Sequence, residues 1–197
     1  MDDNGPLHWL LGIEICRDRQ QRTIAFSQQA YIEAIMEKYG FTDAKPLAMP
    51  ADPHVQLSVD QSLKTPQESN IMKYKPYAES VGALNYASIT TRPDITYAIS
   101  QVAHYNANPS STHWTAVKCI FQYLKETKDL WLVLGQDNEV TFKGYSDADS
   151  MSTEGRKPIV GYVFFLAGSA ISWSSKQADI VTLSTTEAEY VALTHAA

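Results

Sequence analysis

The sequence predicts an α+β fold: an N-terminal hairpin and helix, a small helical bundle, and then a sheet carrying one helix. Three observations lead there. Residues 7–27 hold two apolar, strand-like runs on either side of a polar turn. Residues 77–127 repeat apolar side chains at helical spacing in three successive stretches. Residues 140–183 form short β-prone runs that end at a helix-start signal, Ser184-Thr185-Thr186-Glu187.

Composition agrees with a folded chain. Of 197 residues, 44% are hydrophobic and 19% charged, which is ordinary for a globular protein. The formal charge is −6, spread evenly: residues 1–110 hold 9 basic and 12 acidic groups, residues 111–197 hold 7 and 10. A basic domain built for non-specific phosphate binding is excluded, although a local basic groove is not. Cys16 and Cys119 match no metal spacing and read as reduced, buried thiols. No apolar run approaches the ~20 residues of a membrane span, and the N-terminus carries no leader-like apolar stretch, so a soluble protein is expected.

In chain order, Leu7–Arg17 reads as one strand, 18–22 as a turn and Thr23–Ser27 as the return strand. Ser27 is placed to cap a helix over Gln28–Tyr39, with Tyr31, Ile35 and Tyr39 along its stripe and Gly40 as its left-handed stop. Residues 41–76 scatter five prolines among polar residues, so the main boundary is expected there, with 51–69 as a linker. Tyr77–Ile89 is the next helix. Pro93 suits the first position of another that runs to about Tyr105. Ser111 or Thr112 caps a third, with Trp114, Val117, Ile120, Phe121 and Leu124 on one face. Three such helices suggest a small bundle. Strands are expected at Leu130–Leu134, Val140–Ser146, Ile159–Leu166, Ala170–Ser174 and Ile180–Leu183, with a polar loop over Met151–Pro158. The closing helix starts at Thr185.

The chemistry lies in the last third. Asp147 and Asp149 are two apart and share one face of an extended strand. They are either a polar strand exit or the start of a cation site. Glu187 fits a capping box with Ser184. Glu189 has no such role. Its helical neighbours Ala192, Leu193 and Ala196 suggest a face that packs on the sheet, where a carboxylate needs a charge partner (Lys176 or Arg156) or a metal. Two divalent cations held by carboxylates can clamp both oxygens of a phosphodiester displacement. One strand acid and one helix acid supply about half the ligands that hard cations need.

These residues, taken with others, resemble the pol polyprotein of copia-type LTR retrotransposons. The matching stretches are Gly5-Pro6-Leu7 through Leu11-Gly12-Ile13-Glu14-Ile15, Ser27–Ile32, Tyr77–Tyr86, Thr91-Arg92-Pro93-Asp94-Ile95, His113-Trp114 with Tyr123-Leu124-Lys125, Gly144–Asp149, Ser172–Gln177 and Ser184–Ala192. They occur in family order over nearly the whole chain. The resemblance implies that 1–50 is the end of a reverse-transcriptase palm and the start of a thumb, that 70–128 is a helical thumb or connection, and that 129–197 is the first part of a ribonuclease H-like domain. It implies that Asp147 and Glu189 are catalytic metal ligands, for Mg²⁺ or Mn²⁺, with Asp149 at most an outer ligand. RNA–DNA hybrid is the implied substrate, in the cytoplasm (a retrotransposon particle) or the nucleus.

The departures set further expectations. The polymerase motif would lie before Met1, Asp2-Asp3 reads as a degenerate remnant, and no polymerase activity is expected. The family's third and fourth acids would lie beyond Ala197. The chain alone is therefore expected to be inactive as a nuclease; the alternative is a non-catalytic retroelement-derived binding or scaffold protein. Arg92, Arg156, Lys157 and Lys176 are candidate nucleic-acid contacts. For Arg92 a local pair with Asp94 is the competing reading, and for the others a solvated loop. A sheet lacking its neighbouring strand would expose an edge, which suggests a homo-oligomer.

Overall fold

The computed structural model describes residues 5–135, 139–149 and 157–197. It is α+β, with two antiparallel sheets around a helical core. The first run is two strands rather than one, β1 (Trp9–Leu10) and β2 (Ile13–Asp18). Between them Leu11 and Gly12 both take positive φ, +52° and +79°, which gives a tight two-residue hairpin whose twist suits the strands. The Tyr86 hydroxyl fastens this turn by donating to the Leu11 carbonyl at 2.6 Å. Strand β3 (Thr23–Ser27) pairs with β2 from Asp18↔Thr23 to Glu14↔Ser27. The connecting turn is held by the Asp18 carboxylate, which accepts the Gln20 and Gln21 amides.

Helix α1 (Gln29–Tyr39) starts one residue later than expected; Ser27 Oγ accepts the Gln29 amide at 3.1 Å. Gly40 closes it at φ +74°, as its position predicts. Residues 41–76 are not a loose connection. Phe41 stacks on Phe121 with ring centroids 4.4 Å apart, and Met72 is buried. The segment also holds a 3₁₀ turn (Val59–Gln61) and helix α2 (Pro66–Met72), neither of which its proline content revealed.

Helices α3 (Tyr77–Thr90), α4 (Thr96–Ala103) and α5 (Ser111–Glu126) complete a bundle with α1. Pro93 opens a 3₁₀ turn (Pro93–Ile95) that leads into α4. The α5 stripe is buried throughout, with Val117, Phe121 and Leu124 at 0% exposure. His113 is more than a cap neighbour. It is fully buried, stacks on Tyr105 at 3.9 Å, accepts the Ser110 amide on Nδ1 at 3.0 Å and faces the Ser58 carbonyl through Nε2 at 3.2 Å.

Strand β4 (Leu132–Leu134) returns to β3 and makes the first sheet β1-β2-β3-β4. The second sheet is β5-β6-β7: β5 (Phe142–Asp149), β6 (Ile159–Leu166) and β7 (Ser169–Gln177). Helix α6 (Thr185–Ala196) lies on it. Ile180–Leu183 is not a strand. Its β-prone side chains Ile180, Val181 and Leu183 are exposed, and it pairs with no strand among the described residues. The two parts are joined at β7, where Trp173 Nε1 donates to the Ser88 carbonyl of α3 at 2.9 Å and Ser175 Oγ lies 3.4 Å from Ser100 Oγ of α4. Among the described residues no helix is long and apolar enough to cross a membrane.

Candidate metal centre and nucleic-acid interface

Strand register decides which side chains share a face. Ala148, Val160 and Lys176 are aligned across β5, β6 and β7, as are Ser146, Tyr162 and Ser174 one rung along. Helix α6 sits on this face. Its Ala188 and Ala192 are fully buried, and Ala192 shares a cluster with Val160, Ala178 and Ala148. These small residues let helix and sheet approach closely. Further along the helix, His195 Nε2 lies 3.1 Å from Ser174 Oγ, and its ring meets Tyr162 edge-on. Burial, and then the charge of Lys176, lower the His195 pKa. The spacing Ala188, Ala192, His195 is a helical stripe that the sequence displays and that could have identified this contact.

Asp147 and Asp149 alternate with Ala148 and so point from the opposite face. There they share rungs with Gly161 and Ser175, and with Ile159 and Gln177. The side chains on this face look toward α4: burial, and then the Asp149 carboxylate, raise the pKa of Tyr97. Both acids are exposed.

Glu189 is also exposed, which corrects the expectation that its side of α6 packs on the sheet. The packed side is that of Ala188 and Ala192, and Leu193 stays 55% exposed. Glu187 does act as a cap, but on a different amide from the one expected. Its Oε2 accepts Leu183 N–H at 2.7 Å, while Ser184 Oγ accepts Glu187 N–H at 3.1 Å. Helix α6, which carries Glu189, thus packs on β5, which carries Asp147, and both acids are exposed. Among the described residues no three His, Cys, Asp or Glu side chains are grouped to hold a metal ion. The donors described here thus do not by themselves form a site fit for Mg²⁺ or Mn²⁺.

Of the expected nucleic-acid contacts, Lys176 is exposed and borders a groove of ≈540 Å³ shared with Glu187, Tyr190 and His195. Lys157 is half-buried and engaged in an interaction, and Arg156, with most of the loop expected at Met151–Pro158, lies outside the described residues, as do Asp2 and Asp3. Arg92 is 2% exposed, which removes it from any interface. Its Nε and Nη2 bind the Asp94 carboxylate at 2.7–3.2 Å, and Nη1 donates to the Thr127 carbonyl at 2.9 Å. Tyr123 also donates to Asp94, at 2.7 Å.

Comparison with known proteins shows the family of the chain. The chain is 42% identical over 195 residues to the retrovirus-related Pol polyprotein from transposon TNT 1-94 of Nicotiana tabacum, covering 98% of the chain and 15% of the polyprotein. The chain belongs to the copia-type Pol polyproteins. It spans under a sixth of that polyprotein's length. Two shorter relatives are matched over most of their own length. A secreted RxLR effector protein of Plasmopara viticola is 40% identical over 126 residues, which are 64% of this chain and 89% of the effector. An uncharacterized mitochondrial protein of Arabidopsis thaliana is 32% identical over 194 residues, 98% of this chain and 77% of that protein. No protein-family model and no solved structure matches the chain.

Proposed function

We propose that this Pol segment is where a reverse-transcriptase thumb gives way to a ribonuclease H domain, and that Asp147 and Glu189 are its share of the nuclease carboxylates. The observation that carries the reading is the similarity of 98% of the chain to one stretch of a Pol polyprotein, with both acids set in the motifs Ser-Asp-Ala-Asp and Glu-Ala-Glu-Tyr. In support, β5 and α6, which bear them, pack on each other. RNA–DNA hybrid is the proposed ligand, approached along the side of Lys176. With a net charge of −6, binding should be weak and steeply salt-dependent.

Two acids do not hold a pair of divalent cations in the way phosphodiester cleavage requires. The 197-residue protein should therefore leave a labelled RNA–DNA hybrid uncut in Mg²⁺ or Mn²⁺. Metal-dependent cleavage by the pure protein that disappears in Asp147→Asn would overturn this.

The second reading is a non-catalytic binding or scaffold protein. What favours it is that the Plasmopara and Arabidopsis relatives consist largely of the region matched here. Fluorescence anisotropy separates the two. Hybrid binding that prefers RNA–DNA over duplex DNA supports the nuclease-derived reading, and no binding at low salt supports the scaffold.

A further inference from the structure

Two grooves meet at Lys176. One is the ≈540 Å³ groove beside α6 described above. The other, of ≈430 Å³, lies between α3 and α4 of the bundle and β7 of the second sheet. Both of its walls are internal elements of the chain, and it sits at the β7 rim of the sheet, two strands from β5. The bond from Trp173 to the Ser88 carbonyl and the approach of Ser175 to Ser100 hold the walls at a set distance.

The lining has a consistent chemistry. The chain carries 22 acidic residues against 16 basic ones, yet none of the described residues that line this groove is acidic. Lys176 and His104, just after α4, are its basic side chains. Asn85 on α3, Ser100 on α4 and Gln177 on β7 add amide and hydroxyl groups. Neutral donors beside a cation are the usual partners of phosphate and sugar oxygens. Ile89 and Trp173 supply apolar surface against which a sugar or base packs. A ligand that presents cations finds no counter-charge here, and one that presents phosphates does.

Strand register ties the groove to Asp147. Ser175 faces α4, with its Oγ 3.4 Å from Ser100 Oγ. Asp147 stands on the same rung and the same face, two strand spacings or about 10 Å away. Gly161, which has no side chain, is the residue between them.

We propose that the groove between α3, α4 and β7 holds the sugar–phosphate backbone of an RNA–DNA hybrid and leads it to Asp147. The proposal rests on the nuclease-derived reading above and adds to it three contacts on the bundle side, Asn85, Ser100 and His104. The bundle and the second sheet then grip one ligand between them, and Lys176 serves both grooves.

The test is fluorescence anisotropy of a labelled RNA–DNA hybrid with the 197-residue protein, from low salt upward. Asn85→Asp and His104→Glu each place a carboxylate in the groove, and both positions are exposed, so circular dichroism should show an unchanged fold. Each should weaken binding about tenfold at low salt and reduce the salt slope by about one. Asn70→Asp adds the same charge at an exposed position of α2 outside the groove and should change neither. A second measurement uses the unaltered protein. Diethyl pyrocarbonate acylates exposed imidazoles, and peptide mass spectrometry reads His104 and His54 separately; both are exposed in the free protein. Hybrid should shield His104 and leave His54 reactive. Hybrid that binds the two groove variants as tightly as the parent, or that leaves His104 as reactive as before, overturns the groove while the nuclease-derived reading stands. No hybrid binding at low salt overturns both. If a variant unfolds, the shielding of His104 decides.

Discussion

Replacing Arg92 by Ala tests whether this arginine is structural. Its guanidinium is buried and spends its donors on Asp94 and Thr127. Removing one partner of a buried pair costs about 3–5 kcal/mol, because the other charge is left unmatched. The Asp94 side chain is 31% exposed, so water can partly resolvate it, and the low end, about 3 kcal/mol, applies. For a chain of this size each kcal/mol lowers Tm by about 2–4 °C, which gives a drop of about 6–12 °C. Arg92→Lys keeps the charge but not the planar fork, and should recover about half the loss. Urea unfolding followed by circular dichroism measures both, with hybrid binding measured in parallel. A loss below about 1 kcal/mol, the range of an exposed pair, together with reduced hybrid binding would refute the argument and place Arg92 at an interface.

Burial lowers the pKa of His113 below its ordinary 6.5, so the unfolded chain takes up a proton first as pH falls. Stability should be flat above pH 6.5 and decline below it until the folded value is passed, and His113→Gln should flatten that slope in urea midpoints taken between about pH 5 and 8. An unchanged slope would show that His113 does not carry the effect. At Gly135, φ is +86° and an added Cβ would run into the Arg22 carbonyl, so Gly135→Ala should cost about 2 kcal/mol by thermal melting. A neutral result would mean that this turn relaxes freely. Trp173→Phe removes the bond to Ser88 and should cost about 1 kcal/mol; a change too small to measure would show that water replaces it.

The helical part was legible because its signals are local. The stripe from Trp114 to Leu124 is buried as its spacing predicts, and Gly40 ends α1 where a left-handed residue was needed. What depends on distant partners was not. Nothing in Leu132-Val133-Leu134 says that it pairs with β3 rather than with the sheet that follows it, and Ile180–Leu183 has strand propensity but joins no strand among the described residues. The same limit applies at the site. The motifs single out Asp147 and Glu189, and spacing shows that Asp147 and Asp149 share a face. Only the β5-β6-β7 register shows that α6 covers the other face. For Glu189, helical neighbours two of which are themselves on the rim of the packed stripe, Leu193 and Ala196, suggested burial that Ala188 provides instead.

The pairing of β4 with β3 has a consequence for synthesis. Ile24, Ala25 and Phe26 leave the ribosome more than a hundred residues before Leu134, Val133 and Leu132, the strand that covers them. Throughout that interval one side of β3 has no cover from its final neighbour, while the bundle between them is able to form from its own local contacts. The emerging protein therefore assembles its middle before it can close its beginning, and an arrest before residue 132 leaves a bare strand as its sticky end.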